Sequence, residues 1–145
     1  MKSLAQNPQF SCCIKEGKQA LKSEHKKRVL EGKRRSHKCV QSMDFDACTT
    51  ELKLMPKQQR WDYFIETGAS AGKVLAVEVH PFKPSELRGK RAGTLAILQK
   101  HCPDAMADIC GWHVIVTGDI RSDLAGRFSA ETRIHLHRQL DLSKV

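Results

Sequence analysis

The stretch from Arg60 to Lys83, RWDYFIETGASAGKVLAVEVHPFK, decides how this chain is read. Two runs rich in aromatic and branched side chains, 60–66 and 73–80, flank Thr67-Gly68-Ala69-Ser70-Ala71-Gly72, so the stretch predicts an antiparallel hairpin with a Gly/Ser turn. Closure symmetric about Ser70 sets Asp62 opposite Glu78 and Arg60 opposite His80. Like charges directly across a ladder repel, and a hairpin that keeps such a pair points to a cation between them. Glu78 is the sharper signal, because it interrupts the apolar run VLAVEV, where an unpaired carboxylate is costly to bury. The structural alternatives are ion pairs, Asp62 with Arg60 or Lys73 and Glu78 with a basic helix residue.

A chain of 145 residues suffices for one domain with a core, read as a flexible tail over 1–10 and a single domain over 11–145. Its 40% hydrophobic and 28% charged content is that of a soluble globular chain, and no window has the apolar run of a membrane span. The opening MKSLAQNPQFSC lacks the apolar run of a secretory signal. The cytoplasm is therefore the expected compartment, and the six cysteines are expected as thiols. A formal net charge of +9 favours polyanionic partners such as nucleic acid.

Residues 11–31 hold helix formers and an apolar line through Ile14, Leu21, His25 and Val29, which predicts a helix ending at Gly32. Between Lys15 and Arg35 lie nine Lys or Arg against three acids. Lys22, Lys26, Lys27, Arg28, Lys33, Arg34 and Arg35 are accordingly the candidate phosphate contacts, with a solvated charged face as the alternative. A short strand over 38–46 with Val40 and Met43 or Phe45 buried, and a helical turn over 47–55, lead into the hairpin. Pro84-Ser85 opens a second helix running to His101, in which Gly89 and Gly93 suggest close packing against the sheet. WHVIVT at 112–117 reads as a buried strand, 120–131 as loop and short helix, and 132–142 as an edge strand.

The fold class expected from this order is a single α/β domain with a mixed, mainly antiparallel sheet flanked by helices. With Asp62 in RWDYFIE and Glu78 in LAVEVHP sixteen positions apart across a hairpin, followed by a helix and a strand, the arrangement resembles the PD-(D/E)XK nuclease superfamily. The resemblance covers about residues 11–118 through a short motif. It implies a restriction-endonuclease-like fold, Asp62 and Glu78 as ligands of a divalent metal, and hydrolysis of phosphodiester bonds in DNA or RNA. The position at which the family carries lysine is His80 here, which leaves His80, Lys83 or Lys90 to orient water or phosphate.

Chemistry alone supports the same assignment, since Mg²⁺ or Mn²⁺ between two carboxylates can activate water, polarise a phosphoryl oxygen and stabilise a leaving group. Asp44, Asp46, Glu24 and Glu31 are further candidate ligands. His101, Cys102, Cys110 and His113 form a separate set of the type zinc accepts, with buried apolar cysteines as the alternative. The competing functions are a non-catalytic nucleic-acid-binding module built on the basic segment, and a protein–protein partner whose positive charge meets an acidic surface.

Overall fold

The hairpin forms in the register that closure about Ser70 requires. In the computed structural model, which describes all residues from Met1 to Val145, β4 (Tyr63–Thr67) and β5 (Val74–Pro81) are antiparallel, with Tyr63 against Val77, Phe64 against Ala76 and Ile65 against Leu75. At the turn Ser70 Oγ accepts the N–H of Thr67 at 2.9 Å. Gly68 is required there, because a Cβ would lie 2.3 Å from the carbonyl oxygen of Arg35.

The hairpin is the centre of a six-stranded sheet of order β1-β3-β4-β5-β6-β7. On one side β3 (Cys39–Asp44) and β1 (Ile14–Glu16) continue it antiparallel. On the other, β6 (Ile109–Thr117) and β7 (Ile134–His137) lie parallel to β5. Parallel neighbours need crossovers, and these are α4 (Pro84–His101) with the short α5 (Asp104–Asp108), then α6 (Ser122–Thr132). The chain is thus a single α/β domain with a mixed sheet flanked by helices. No helix is long and apolar enough to cross a membrane.

The two faces of the sheet are covered differently. On one face Phe64, Ala76, Val114 and Ile134 pack against Leu87, Ile97 and Leu98 of α4, Phe128 of α6, and Phe45 and Cys48 of α3 (Phe45–Glu51). On the other, Tyr63, Ile65, Leu75, Val77 and Ile115 meet Leu21, Val29, Leu140 and Leu142. That cover is a loop with one helical turn, α2 (Ser23–Lys26), and a second sheet pairing β2 (Val29–Leu30) with β8 (Leu140–Asp141) in parallel. Burial on both faces explains why VLAVEV is nearly continuous in apolar residues.

Three expectations are corrected. Residues 11–31 are not a helix: a 3-10 turn at Ser11–Cys13 is followed by β1, α2 and β2. The apolar line is divided between the faces, Ile14 packing with the helical core and Leu21 and Val29 with the other. Helix formers without a common buried face do not hold a helix. Residues 1–10 are not a free tail, since Lys2–Gln6 forms α1 and Met1, Leu4 and Phe10 are buried. The cysteines are not all thiols, because Cys13 and Cys48 form a disulfide. Elsewhere the differences are smaller. Val40 is exposed and Phe45 opens α3, β6 starts three residues before Trp112, and the final strand is split into β7, at the sheet edge, and β8.

Candidate functional site

Beyond the Tyr63–Val77 pair the hairpin's backbone ladder ends, and carboxylates replace it. Glu78 Oε2 accepts the N–H of Asp62 at 2.8 Å, and Asp62 Oδ2 accepts the N–H of Val79 at 3.0 Å. Each acid thus satisfies a donor on the strand opposite. The carbonyl of Asp62 is held in turn by the N–H groups of Phe45 (2.8 Å) and Asp46 (3.2 Å) at the start of α3. Asp44 caps that helix through the N–H of Ala47 at 2.8 Å.

Glu78 shares strand parity with Val74 and Ala76, so it points into the helical core, and it is fully buried. Its Oε1 is in contact with Lys90 Nζ on α4. The approach of α4 depends on Gly93, where a Cβ would stand 1.8 Å from the carbonyl oxygen of Gln59. Thr94 Oγ1, one residue on, accepts the N–H of Trp61 at 2.7 Å, fixing α4 against the entry to β4. Burial, and then the nearby charge of Asp62, push the Glu78 carboxyl up to about 8; Lys90 and the Asp62 N–H act in the opposite sense. A cation is what this carboxylate lacks, and Lys90 is the one the chain supplies. Asp62 is half-buried. Its Oδ2 and both oxygens of Glu78 are engaged, which leaves Asp62 Oδ1.

Of the three basic candidates only Lys90 reaches the acid pair. His80 turns to Glu86, with Nε2 3.1 Å from Oε2, while its Nδ1 lies 2.8 Å from the carbonyl oxygen of Pro81. Lys83 Nζ is 3.7 Å from Glu86 Oε1. Glu86 therefore gathers the two side chains, His80 and Lys83, that the sequence offered for orienting water or phosphate. Its position three residues after Lys83, in the first turn of a helix, was the available signal.

The remaining candidates disperse. Arg60, fully engaged, donates to the carbonyls of Leu54 (3.1 Å), Met55 (2.9 Å) and Gln58 (2.8 Å), and its nearest acid is Asp46 at 3.9 Å rather than Asp62. Lys73 donates to the carbonyl of Ala107, and Glu31 accepts the N–H of Cys39. Cys102 faces the carbonyl of Ser3 and Cys110 that of Val74, so the His/Cys quartet does not assemble. No group of three or more His, Cys, Asp or Glu side chains is arranged to hold a metal ion.

The seven basic residues do not share a helix face. Lys22 lies at the acid end of the sheet, where its N–H approaches the Tyr63 hydroxyl at 3.4 Å; burial raises the Asp44 carboxyl there, and the charge of Lys22 acts against that rise. Lys26, Lys27 and Arg28 follow in α2 and the turn after it, over the face away from Glu78. Lys33, Arg34 and Arg35 sit at the other end, beside the β4–β5 turn, where the N–H of Ala69 meets the carbonyl of Ser36 at 3.1 Å.

A histidine group escaped the sequence reading. His113 on β6 stacks on His135 and His137 of β7, at 5.1 and 5.2 Å between ring centroids, with His113 Nδ1 3.0 Å from His137 Nε2. Burial and the two neighbouring imidazoles depress His113 to about 3, so its own ring is held neutral. The strands at 112–117 and 132–142 were both read from the sequence, whereas the parallel pairing that sets His113 beside His135 and His137 was not. Comparison with known proteins finds no match for the chain among protein-family models, curated proteins or solved structures.

Proposed function

We propose that Asp62, Glu78 and Lys90 form the centre of a metal-dependent nuclease acting on DNA or RNA. The observation that carries this reading is the fully buried Glu78 carboxylate, set beside Asp62 and in contact with an ammonium from the following helix. The donor set is hard and oxygen-based, which suits Mg²⁺ or Mn²⁺. Such an ion supplies polarisation of the phosphoryl oxygen and an activated water. Asp62 and Glu78 would hold it. Lys90, which meets the pair from α4, would orient water or a phosphate oxygen beside them. The resemblance to the PD-(D/E)XK superfamily points the same way, with Lys90 on α4 filling the role left open by His80. The net charge of +9 supplies attraction for the substrate backbone.

The test is cleavage of labelled DNA and RNA with Mg²⁺ or Mn²⁺ by the wild type, Asp62→Ala and Glu78→Ala. Cleavage is expected only in the wild type, with salt-sensitive nucleic-acid binding kept in all three. Retained cleavage in either variant removes that residue from the ligand set.

One observation favours a second reading. Glu78 already bridges Lys90 and the Asp62 N–H, an arrangement complete as a structural tie. A non-catalytic nucleic-acid-binding module follows from it, with binding that weakens steeply with salt and no thermal stabilisation by Mn²⁺.

A further inference from the structure

Three of the six cysteines meet at one place on the surface. An open pocket of about 640 Å³ is lined by Cys12, Cys13 and Cys48, with Lys15, Asp44 and Glu51 around them. Cys13 and Cys48 are disulfide-bonded, and Cys12 is an exposed free thiol whose Sγ lies 4.0 Å from Cys13 Sγ. The only other polar contact of Cys12 is a weak one, 3.9 Å to the carbonyl of Gln9. The other free cysteines are turned towards backbone carbonyls, Cys39 to Gly17, Cys102 to Ser3 and Cys110 to Val74.

A thiol and a disulfide sulfur at near van der Waals contact are the reactants of thiol–disulfide exchange. We propose that Cys12, Cys13 and Cys48 constitute such an exchange site. The Cys12 thiol loses its proton to solvent, and the thiolate attacks Cys13 Sγ. The Cys12–Cys13 bond forms as the Cys13–Cys48 bond breaks, and Cys48 leaves as a thiolate that takes a proton from solvent. One disulfide is exchanged for another, so no oxidant or reductant is consumed.

What changes is a tether. Cys13 immediately precedes β1 and Cys48 lies in α3, so exchange releases α3 from the sheet's edge strand while the protein stays oxidised. The first N–H groups of α3 hold the carbonyl of Asp62. Exchange therefore reaches the backbone of a candidate ligand; that consequence rests on the nuclease reading, whereas the sulfur chemistry stands without it.

The experiment uses the full, air-oxidised chain held at about pH 8, near the ordinary cysteine pKa, then pulse-alkylated and mapped by mass spectrometry. A fraction of wild-type chains is expected to carry a Cys12–Cys13 disulfide together with alkylated Cys48, and both are expected to be lost in Cys12→Ser. Chains that all keep Cys13–Cys48, with Cys12 alkylated and Cys48 never so, would overturn the proposal, as would an oxidised protein without a Cys13–Cys48 bond. A second variant, Cys48→Ser, reads the first contact directly. Treated with oxidised glutathione it is expected to close Cys12 onto Cys13, and stable mixed disulfides alone would refute the assignment. Neither result depends on metal or nuclease activity.

Discussion

Glu78→Gln is expected to flatten the dependence of stability on pH. The folded protein holds the Glu78 proton up to about pH 8, whereas the unfolded chain releases it near the ordinary 4.5. Between those values unfolding releases a proton, so the wild type loses stability as pH rises through the window. At about 1.4 kcal/mol per pH unit, the interval from 4.5 to about 8 sets a ceiling of about 5 kcal/mol. Glutamine cannot ionise, so that slope should vanish in the variant. The assay is urea denaturation of both proteins at intervals from pH 5 to about pH 9, reading the free energy from each midpoint and slope. The difference between them, rather than either absolute value, carries the test, because glutamine also changes the hydrogen bonds to Lys90 and Asp62. Parallel curves, or a wild type whose advantage over Glu78→Gln grows with pH, would refute the account of Glu78 as a carboxyl destabilised by burial. Added Mn²⁺ should reverse the trend in the wild type alone, since a bound cation favours the ionised form.

Gly93→Ala should destabilise by about 1–3 kcal/mol despite the better helix propensity of alanine, because the new Cβ would meet the Gln59 carbonyl at 1.8 Å; thermal melts suffice to see it. Cys13→Ser opens a loop of separation 35 and should cost up to about 4 kcal/mol on the chain-entropy account, measured against the oxidised wild type. Arg60→Ala strands the carbonyls of Leu54, Met55 and Gln58 and should cost roughly 2–4 kcal/mol in chemical denaturation. Lys90→Met should abolish cleavage while leaving Mn²⁺ stabilisation in place, which separates the lysine's role from that of the carboxylates.

The hairpin was legible because its signals were local: two β-rich runs, a Gly/Ser turn, and a symmetry that fixed the register at Asp62 and Glu78. The helix at Pro84–His101 and the strand at WHVIVT were legible for the same reason. Residues 11–31 were not, since their apolar positions serve opposite faces of a sheet and only the tertiary structure reveals that Ile14 parts from Leu21 and Val29. The acid pair was readable from pairing alone, but its cation was one candidate among three. What selected Lys90 was the close approach of α4 at Gly93, and no spacing rule encodes that distance. The histidine group was hidden by a crossover, because β6 and β7 are neighbours only after α6 has carried the chain across the face.

The small sheet of β2 and β8 has a consequence for how the protein is made. Val29 pairs with Leu140, a separation of 111 residues from the two positions (140 − 29). At about 5–20 residues per second, a ribosome needs roughly 6–22 s to deliver the second strand after the first. For that interval Leu21 and Val29 have no Leu140 or Leu142 to cover them, and the hairpin, complete at Pro81, keeps its apolar face open for the last 59 residues of it (140 − 81). The face with the helical core can begin to close earlier, once α4 ends at His101. The nascent chain thus presents a sticky surface until Leu140 and Leu142 have been made, which is where a chaperone would act and where aggregation would begin.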